Sequence, residues 1–145
     1  MGFLIDTSIW IAVERGQVAP ADVQAITGTE PLFLSPVNVA EMQAGAELIE
    51  DFQYRARCLA ALRRLKRKPQ LRITAETGEV FGHLAAELKK AGRAEDFRVQ
   101  DVWLAAQAIQ RGFKLLTANE KDFRDIPRAG VDRDAPGAYI VESVG

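Results

Sequence analysis

The sequence has little of the chemistry on which several enzyme classes depend. Its 145 residues include one cysteine, Cys58, and one histidine, His83. This excludes an internal disulfide, a Cys/His zinc cluster and the histidine pair of a metalloprotease helix. No apolar run approaches the roughly 20 residues of a membrane-spanning helix, and Asp6 interrupts the apolar N-terminus before it resembles a secretory signal. We therefore expect no membrane span and a cytoplasmic protein.

The charges nearly cancel. The chain carries 19 Lys and Arg against 20 Asp and Glu, for a formal net charge of -1. Bulk charge therefore does not hold this molecule to nucleic acid, and any basic surface has to be local. The hydrophobic share of 48% suffices for the core of one domain, and we expect residues 1–145 to form a single domain.

Strand-like and helix-like segments alternate, which predicts an α/β layer fold with a parallel sheet of about four or five strands. The expected strands are residues 2–5, 32–34, 71–73, 114–116 and an edge strand at 138–141. The expected helices are residues 8–15, 20–26, 38–51, 53–68, 76–91 and 99–111.

Acidic residues fall on faces of these elements that should be buried. Asp6 closes the apolar strand of residues 3–5, and the carboxyl ends of parallel strands are where α/β sheets place ligand crevices. Glu41 and Asp101 each share a helical stripe with apolar or small residues. The stripes are Ala44, Gly45, Leu48 and Ile49 for Glu41, and Leu104, Ala105, Ala108 and Ile109 for Asp101.

Inward-facing carboxylates need compensation, because burying an unpaired charge costs several kcal/mol. No Arg or Lys occupies the same stripes, so a metal ion is the expected partner. Oxygen ligands without soft donors favour Mg²⁺, or Mn²⁺ in its place, over zinc.

Each acid taken alone also has a structural interpretation. Asp6 suits a cap of the following helix, Glu41 follows Asn38 at the spacing of a capping box, and Asp101 lies in a first helical turn. Asn119, at the exit of a strand, is either a further ligand or a turn residue. The conjunction of the three acids on apolar faces favours a shared site.

Four segments carry a family resemblance: residues 3–10 (FLIDTSIW), 35–41 (SPVNVAE) with Gly45 after them, 101–106 (DVWLAA), and 116–119 (LTAN) running into residues 122–123. In this order and spacing, the chain resembles the PIN-domain ribonucleases, and more narrowly the VapC-like toxins of bacterial toxin-antitoxin modules. The resemblance implies a twisted parallel sheet flanked by helices on both faces.

The resemblance also implies a metal site. Asp6, Glu41 and Asp101 match the three acids of the family, and Asn119 matches a fourth position that is often Asp. An amide oxygen coordinates without adding charge, so one ion should bind well and a second weakly. Asp122 is read first as a solvated acid or cap partner, and only second as a replacement ligand.

By the same resemblance, the expected function is that of a Mg²⁺-dependent endoribonuclease toxin that leaves a 5′-phosphate and a 3′-hydroxyl. Thr7 and Ser8 match positions that support the first acid by hydrogen bonding. The expected partners are RNA, a VapB-like antitoxin and a second copy in a homodimer. The alternative is a non-catalytic RNA- or antitoxin-binding module. A phosphatase with Asp6 as nucleophile is disfavoured, because Ser8 stands where such enzymes carry Asp.

One segment is strongly basic. Residues 52–72 hold eight of the chain's cations and no acid. The run could bind RNA phosphates, receive an acidic antitoxin segment, or form a solvated helix face. The sequence leaves these three uses open.

Overall fold

Helices and strands mix along the chain, but the predicted alternation is incomplete, because four helices follow one another before the last three strands. The computed structural model describes residues 2–119, 121, 123, 126, 129–132 and 139–143. In chain order the elements are β1 (Phe3–Ile5), α1 (Thr7–Glu14), α2 (Pro20–Thr27), β2 (Leu32–Phe33), α3 (Pro36–Glu47), α4 (Phe52–Leu65), α5 (Ala75–Lys90), α6 (Val99–Arg111), β3 (Lys114–Thr117), β4 (Ala129–Asp132) and β5 (Tyr139–Ser143). None of the helices in these ranges is long and apolar enough to cross a bilayer.

The strands form one sheet in the order β2-β1-β3-β5-β4. The central β1 pairs in parallel with β2 and β3, and β5 runs antiparallel to β3 and β4. The predicted α/β layer fold is confirmed, but the parallel part of the sheet has three strands rather than four or five. Only residues 133–138 join β4 to β5, which is too short for the crossover of a dozen or more residues that a parallel pair needs.

Helices cover both faces of the sheet. Side chains of a strand point alternately to the two faces. Phe3 and Ile5 accordingly join an apolar cluster with residues of α1, α2 and α4, whereas Leu4 joins a second cluster with residues of α5 and α6. The layer arrangement places the carboxyl ends of β1 and β3 side by side, with Ile5 opposite Leu116.

Two segments differ from the strand prediction. Residues 71–73 form no strand: the chain there makes one isolated bridge, between Gln70 and Leu34. The predicted edge strand at 138–141 corresponds to β5, which lies inside the sheet, and β4 is a strand that the prediction lacks. β4 has the sequence AGVD, so its pairing with β5, rather than an apolar run, makes it a strand.

Helix α3 begins at Pro36, two residues before the predicted start. Ser35 is the N-cap, and its hydroxyl accepts a hydrogen bond from the Val37 N–H at 3.0 Å. The Asn38 Oδ1 accepts from the Ser35 N–H at 2.9 Å. The capping box therefore pairs Ser35 with Asn38, and the predicted alternative of Asn38 with Glu41 is wrong.

Buried polar contacts join α6 to the start of α3. Gln107 is fully buried, its Nε2 donates to the Leu71 carbonyl at 2.7 Å, and its Oε1 accepts from the Ser35 hydroxyl. Buried polar groups are costly unless they are hydrogen-bonded, so this amide fixes two loops against α6. The helix that carries Asp101 is thereby held against the helix that carries Glu41.

Replacement of Gln107 by Ala should leave the Leu71 carbonyl and the Ser35 hydroxyl buried without this partner. We expect the free energy of unfolding to fall by about 2–4 kcal/mol, measured by chemical denaturation. Gln24→Ala is the control, because Gln24 is exposed on α2. It should change the free energy of unfolding by less than about 0.5 kcal/mol, and equal effects of the two substitutions would contradict the assignment.

Candidate active site

Asp6 lies where β1 ends beside β3. Its backbone N–H donates to the Leu116 carbonyl at 2.9 Å, which continues the parallel pairing by one residue. Its side chain is buried, and Oδ2 accepts from the Ser8 hydroxyl at 2.7 Å and from the Thr117 hydroxyl at 2.8 Å. The predicted support by Ser8 is confirmed. Asp6 also occupies the N-cap position of α1. Its carboxylate makes no capping hydrogen bond with the backbone of α1 in the described residues, so the cap interpretation is wrong.

Thr7 supports Glu41, whereas the sequence assigned it to Asp6. The Thr7 hydroxyl lies 3.5 Å from the Glu41 Oε1 and accepts from the Asn38 Nδ2 at 2.8 Å. Asn38 is fully buried, with its other amide atom occupied by the Ser35 N–H. A chain of buried polar groups therefore leads from the capping box of α3 to the Glu41 carboxylate.

The predicted apolar stripe of Glu41 does not face the core. Ala44 and Gly45 are exposed, and Leu48 is 82% exposed. The side chain of Glu41 is nevertheless only 15% exposed, because it lies among Thr7 of α1 and Arg98 at the start of α6. Its burial results from contacts with the start of α1 and the start of α6, and not from the helical periodicity of α3.

Asp101 lies on the buried face of α6, as predicted. It is 2% exposed, and Leu104, Ala105 and Ala108 of its stripe are buried with it. Arg98, one turn earlier, reaches both of its carboxylate oxygens: Nε lies 3.0 Å from Oδ2 and Nη2 lies 3.1 Å from Oδ1. The expectation that no Arg or Lys side chain compensates these acids is therefore wrong.

The three acids form one electrostatic cluster. The pKa of Glu41 is raised, mainly by burial and then by the neighbouring carboxylates of Asp6 and Asp101, while Arg98 and the Thr7 hydroxyl oppose the rise. The Arg98 Nη2 lies 3.5 Å from the Glu41 Oε2, so one guanidinium bridges two of the acids. Among the described residues, these side-chain positions bring no three carboxylates into an arrangement that could hold a metal ion.

The fourth predicted position lies at the rim of this cluster. The Asn119 side chain is exposed, and its backbone N–H donates to the Thr117 Oγ1 at 3.0 Å. The backbone of Asn119 thus contacts the Thr117 hydroxyl that donates to Asp6. Asp122 lies outside the described residues.

Three residues that the fold brings to this cluster were not predicted to support its acids: Thr117, Asn38 and Arg98. Thr117 is the last residue of β3, and a hydroxyl at the end of a strand beside Asp6 was a usable signal. Arg98 stands three residues before Asp101, the spacing at which helical side chains meet. Asn38 could have been identified only after the true start of α3 was known.

The donor set suits a hard divalent cation. Its atoms are carboxylate oxygens surrounded by hydroxyls, and the chain brings no thiolate or imidazole into the described contacts. The raised pKa of Glu41 indicates that Arg98 only partly offsets the repulsion among the acids. Additional positive charge would therefore stabilise the ionised cluster.

Comparisons with known proteins agree on one family. The model of the PIN domain matches residues 3–129. A protein named ribonuclease VapC from Rickettsia bellii is 30% identical over 132 residues, which are 90% of this chain and 95% of the relative. Ribonuclease VapC1 from Rickettsia felis is 32% identical over 127 residues, which are 87% of this chain and 91% of the relative.

Solved structures share the fold. The VapBC-5 toxin-antitoxin structure from Mycobacterium tuberculosis superposes with a TM-score of 0.72 at 25% identity, covering 89% of this chain and 93% of the other. The DNA-bound VapBC structure from Salmonella typhimurium gives a TM-score of 0.74 at 22% identity, covering 88% and 93%. The second likeness, at this lower identity, shows the fold alone.

The raised pKa of Glu41 predicts that the stability of the protein depends on pH. The carboxyl group of Glu41 binds its proton more tightly in the folded, metal-free protein than in the unfolded chain. Ionised Glu41 therefore lowers the stability of the protein above its folded pKa. The cost disappears as the pH falls below the ordinary value of 4.5. In EDTA, Glu41→Gln should therefore melt at a higher temperature than the parent protein at neutral pH, and the difference should vanish in acid.

Thermal unfolding followed by circular dichroism over a series of pH values measures this difference. Glu87→Gln is the control, since Glu87 is an exposed acid on α5. A gain in melting temperature that persists unchanged in acid would contradict the cause given for Glu41.

Proposed function

The chain belongs to the PIN-domain family, and on that basis we propose that it is a Mg²⁺-dependent endoribonuclease toxin of a toxin-antitoxin pair. The curated relatives named ribonuclease VapC support the activity, and they align over most of their own length. The cluster of Asp6, Glu41 and Asp101 at the carboxyl edge of the sheet is the observation that carries the proposal.

The acid cluster is the proposed metal site. Asp6, Glu41 and Asp101 would hold the ion, with the amide oxygen of Asn119 or the carboxylate of Asp122 as an added ligand. A Mg²⁺ ion bound there, or Mn²⁺ in its place, would acidify a water molecule and offset charge on the leaving oxygen of the phosphodiester. We propose one strongly bound ion, because Asn119 adds no charge at the fourth position.

The surrounding residues fix the geometry of the acids. Ser8 and Thr117 donate to one oxygen of Asp6 and so fix the orientation of its carboxylate. Thr7, itself held by Asn38, does the same for Glu41. Such outer contacts raise the precision of a metal site and commonly contribute 10–100-fold, roughly, to affinity or activity.

Glu41 is the best placed of the acids to accept a proton. It is the least buried of the three acids, so a water molecule reaches its carboxylate most easily. We assign it the proton of the attacking water. No covalent protein nucleophile is required.

The proposed partners follow from the same comparisons. The similar VapBC-5 structure belongs to a family of toxin-antitoxin systems, which supports a VapB-like antitoxin that neutralises this chain. A homodimer and an RNA substrate belong to the same proposal. The rival function, a non-catalytic module that binds RNA or antitoxin, predicts RNA affinity without binding of Mn²⁺, so calorimetry with Mn²⁺ separates the two.

Asp6→Asn and Asp101→Asn test the proposed activity. Each substitution replaces an ionised ligand by a neutral amide of the same shape, so we expect the rate of RNA cleavage to fall by at least about 100-fold. Removal of divalent ions by EDTA should abolish cleavage, and added Mn²⁺ should restore it. Gel analysis of a labelled RNA measures the rates.

Glu87→Gln again serves as the control, a carboxylate-to-amide change on the exposed face of α5. It should cleave RNA at the rate of the parent protein. Undiminished cleavage in EDTA, or in either aspartate variant, would exclude the metal-dependent mechanism.

A further inference from the structure

The basic segment 52–72 presents its charge to solvent. Seven of its eight cations are exposed, and Arg55 is partly buried. The exposed ones are Arg57, Arg63, Arg64, Lys66, Arg67, Lys68 and Arg72. Segments with this much exposed charge and no acid attract anions unless the protein supplies its own.

The protein supplies few partners. Arg64 lies 3.4 Å from Glu14, and both side chains are exposed, so solvent screens this pair and it is weak. Lys68 lies over the ring of Trp10. Among the described residues, four of the exposed cations have neither a carboxylate nor a ring partner: Arg63, Lys66, Arg67 and Arg72.

These cations border the helices that carry the candidate site. Lys66 lines a shallow cavity with Pro36 and Val39, at the start of the helix that holds Glu41. Arg64 and Lys68 contact α1, the helix that begins directly after Asp6. The basic surface and the acid cluster therefore share α1 and α3 as supports.

The composition of this surface favours a phosphate backbone over a peptide. A partner helix or peptide needs exposed apolar side chains to pack against. Of the large exposed apolar side chains in the described residues, Leu48, Phe52 and Tyr54 lie at the opposite end of the α3–α4 hairpin, whereas Ile73 directly follows Arg72 and Ile11 lies on α1. The end of α4 and the turn after it offer cations at positions 63, 66 and 67.

We propose that Arg63, Lys66, Arg67 and Arg72 form a phosphate-binding track that holds single-stranded RNA beside the acid cluster. This inference rests on the proposed function, since the track would deliver the substrate of that site. Contacts to the phosphate backbone give affinity without base specificity, and the affinity falls steeply with salt.

The test is RNA binding without cleavage. A labelled oligouridylate is titrated with the full chain in EDTA, and its fluorescence anisotropy is measured at several NaCl concentrations. The triple variant Arg63→Gln, Arg67→Gln, Arg72→Gln should bind at least about tenfold more weakly at low salt. The slope of log K against log salt should shrink by about 2, since each contact to single-stranded RNA contributes about 0.7.

A second triple variant of equal net charge is the control: Lys89→Gln, Lys90→Gln, Arg111→Gln. These exposed cations lie at the ends of α5 and α6. The control should bind RNA as the parent protein does. Equal losses in the two variants, no loss in the first, or no measurable binding by the parent protein would overturn the track; an unchanged RNA affinity would point to a protein partner instead.

Cleavage of a dinucleotide substrate separates this inference from the proposed function. A dinucleotide has a single phosphodiester, which the acid cluster would occupy, so no phosphate remains for the track and the first triple variant should cleave it at the parent rate. Loss of track binding together with normal dinucleotide cleavage supports both proposals, whereas track binding without metal-dependent cleavage by the parent protein would refute only the nuclease.

A separate observation concerns Arg98. Its guanidinium contacts both oxygens of Asp101 and one oxygen of Glu41, and these are atoms that the proposed ion would also use. The Arg98 side chain is 57% exposed, so it can leave the site without disturbing the core. A guanidinium and a divalent cation repel each other at this short range, so the two compete for the carboxylate of Asp101.

We infer that Arg98 is a resident counter-ion that competes with the divalent cation for Asp101 and Glu41. It stabilises the acid cluster in the metal-free protein and is displaced when the ion binds. A purely structural Arg98 would stabilise the metal-free and metal-bound protein equally. A competing Arg98 stabilises only the metal-free protein, so its removal should strengthen metal binding.

Calorimetric titration with Mn²⁺ measures this directly. Arg98→Gln should bind Mn²⁺ about fivefold more tightly than the parent protein, and it should melt at a lower temperature in EDTA. Arg98→Lys keeps the charge without the two-pronged contact and should fall between them. Arg111→Gln, at the other end of α6, should leave Mn²⁺ affinity unchanged. Unchanged or weakened Mn²⁺ affinity in both Arg98 variants would overturn the inference.

Discussion

Repulsion among three carboxylates is the constraint around which this fold is arranged. Asp6, Glu41 and Asp101 come from three different elements, and the pKa of Glu41 rises because burial and the other two acids disfavour its charge. Burial of like charges is costly unless donors and cations surround them. The hydroxyls of Ser8, Thr7 and Thr117 and the guanidinium of Arg98 meet part of this requirement, and a divalent cation would meet the rest.

The rigidity that this arrangement needs comes from polar contacts in the core. Gln107 fixes α6 to the start of α3, and Asn38 continues the connection from the capping box to Thr7 and Glu41. These groups are buried, so each bond is difficult to replace by water. The network places the acids on supports whose relative position is set by hydrogen bonds rather than by apolar packing alone.

Charge is segregated in this molecule. The acids converge at the carboxyl edge of the sheet, while the basic segment 52–72 lies along α1 and α3 nearby. An almost neutral chain thus offers a negative centre suited to a cation and a positive flank suited to an anionic polymer. The same two helices contact the basic segment and carry or follow acids of the cluster.

The sequence by itself determined most of the helices and the burial of Asp6 and Asp101, because these depend on local spacing, and the family resemblance supplied the support of Asp6 by Ser8. Hydrophobic periodicity reports only whether a residue faces inward. It therefore failed for Glu41, whose stripe is exposed and whose burial comes from neighbouring helix ends. Only the tertiary structure decided the antiparallel half of the sheet, the link from Asn38 through Thr7, and the contact of Arg98 with two acids, since each depends on segments distant in sequence meeting in space.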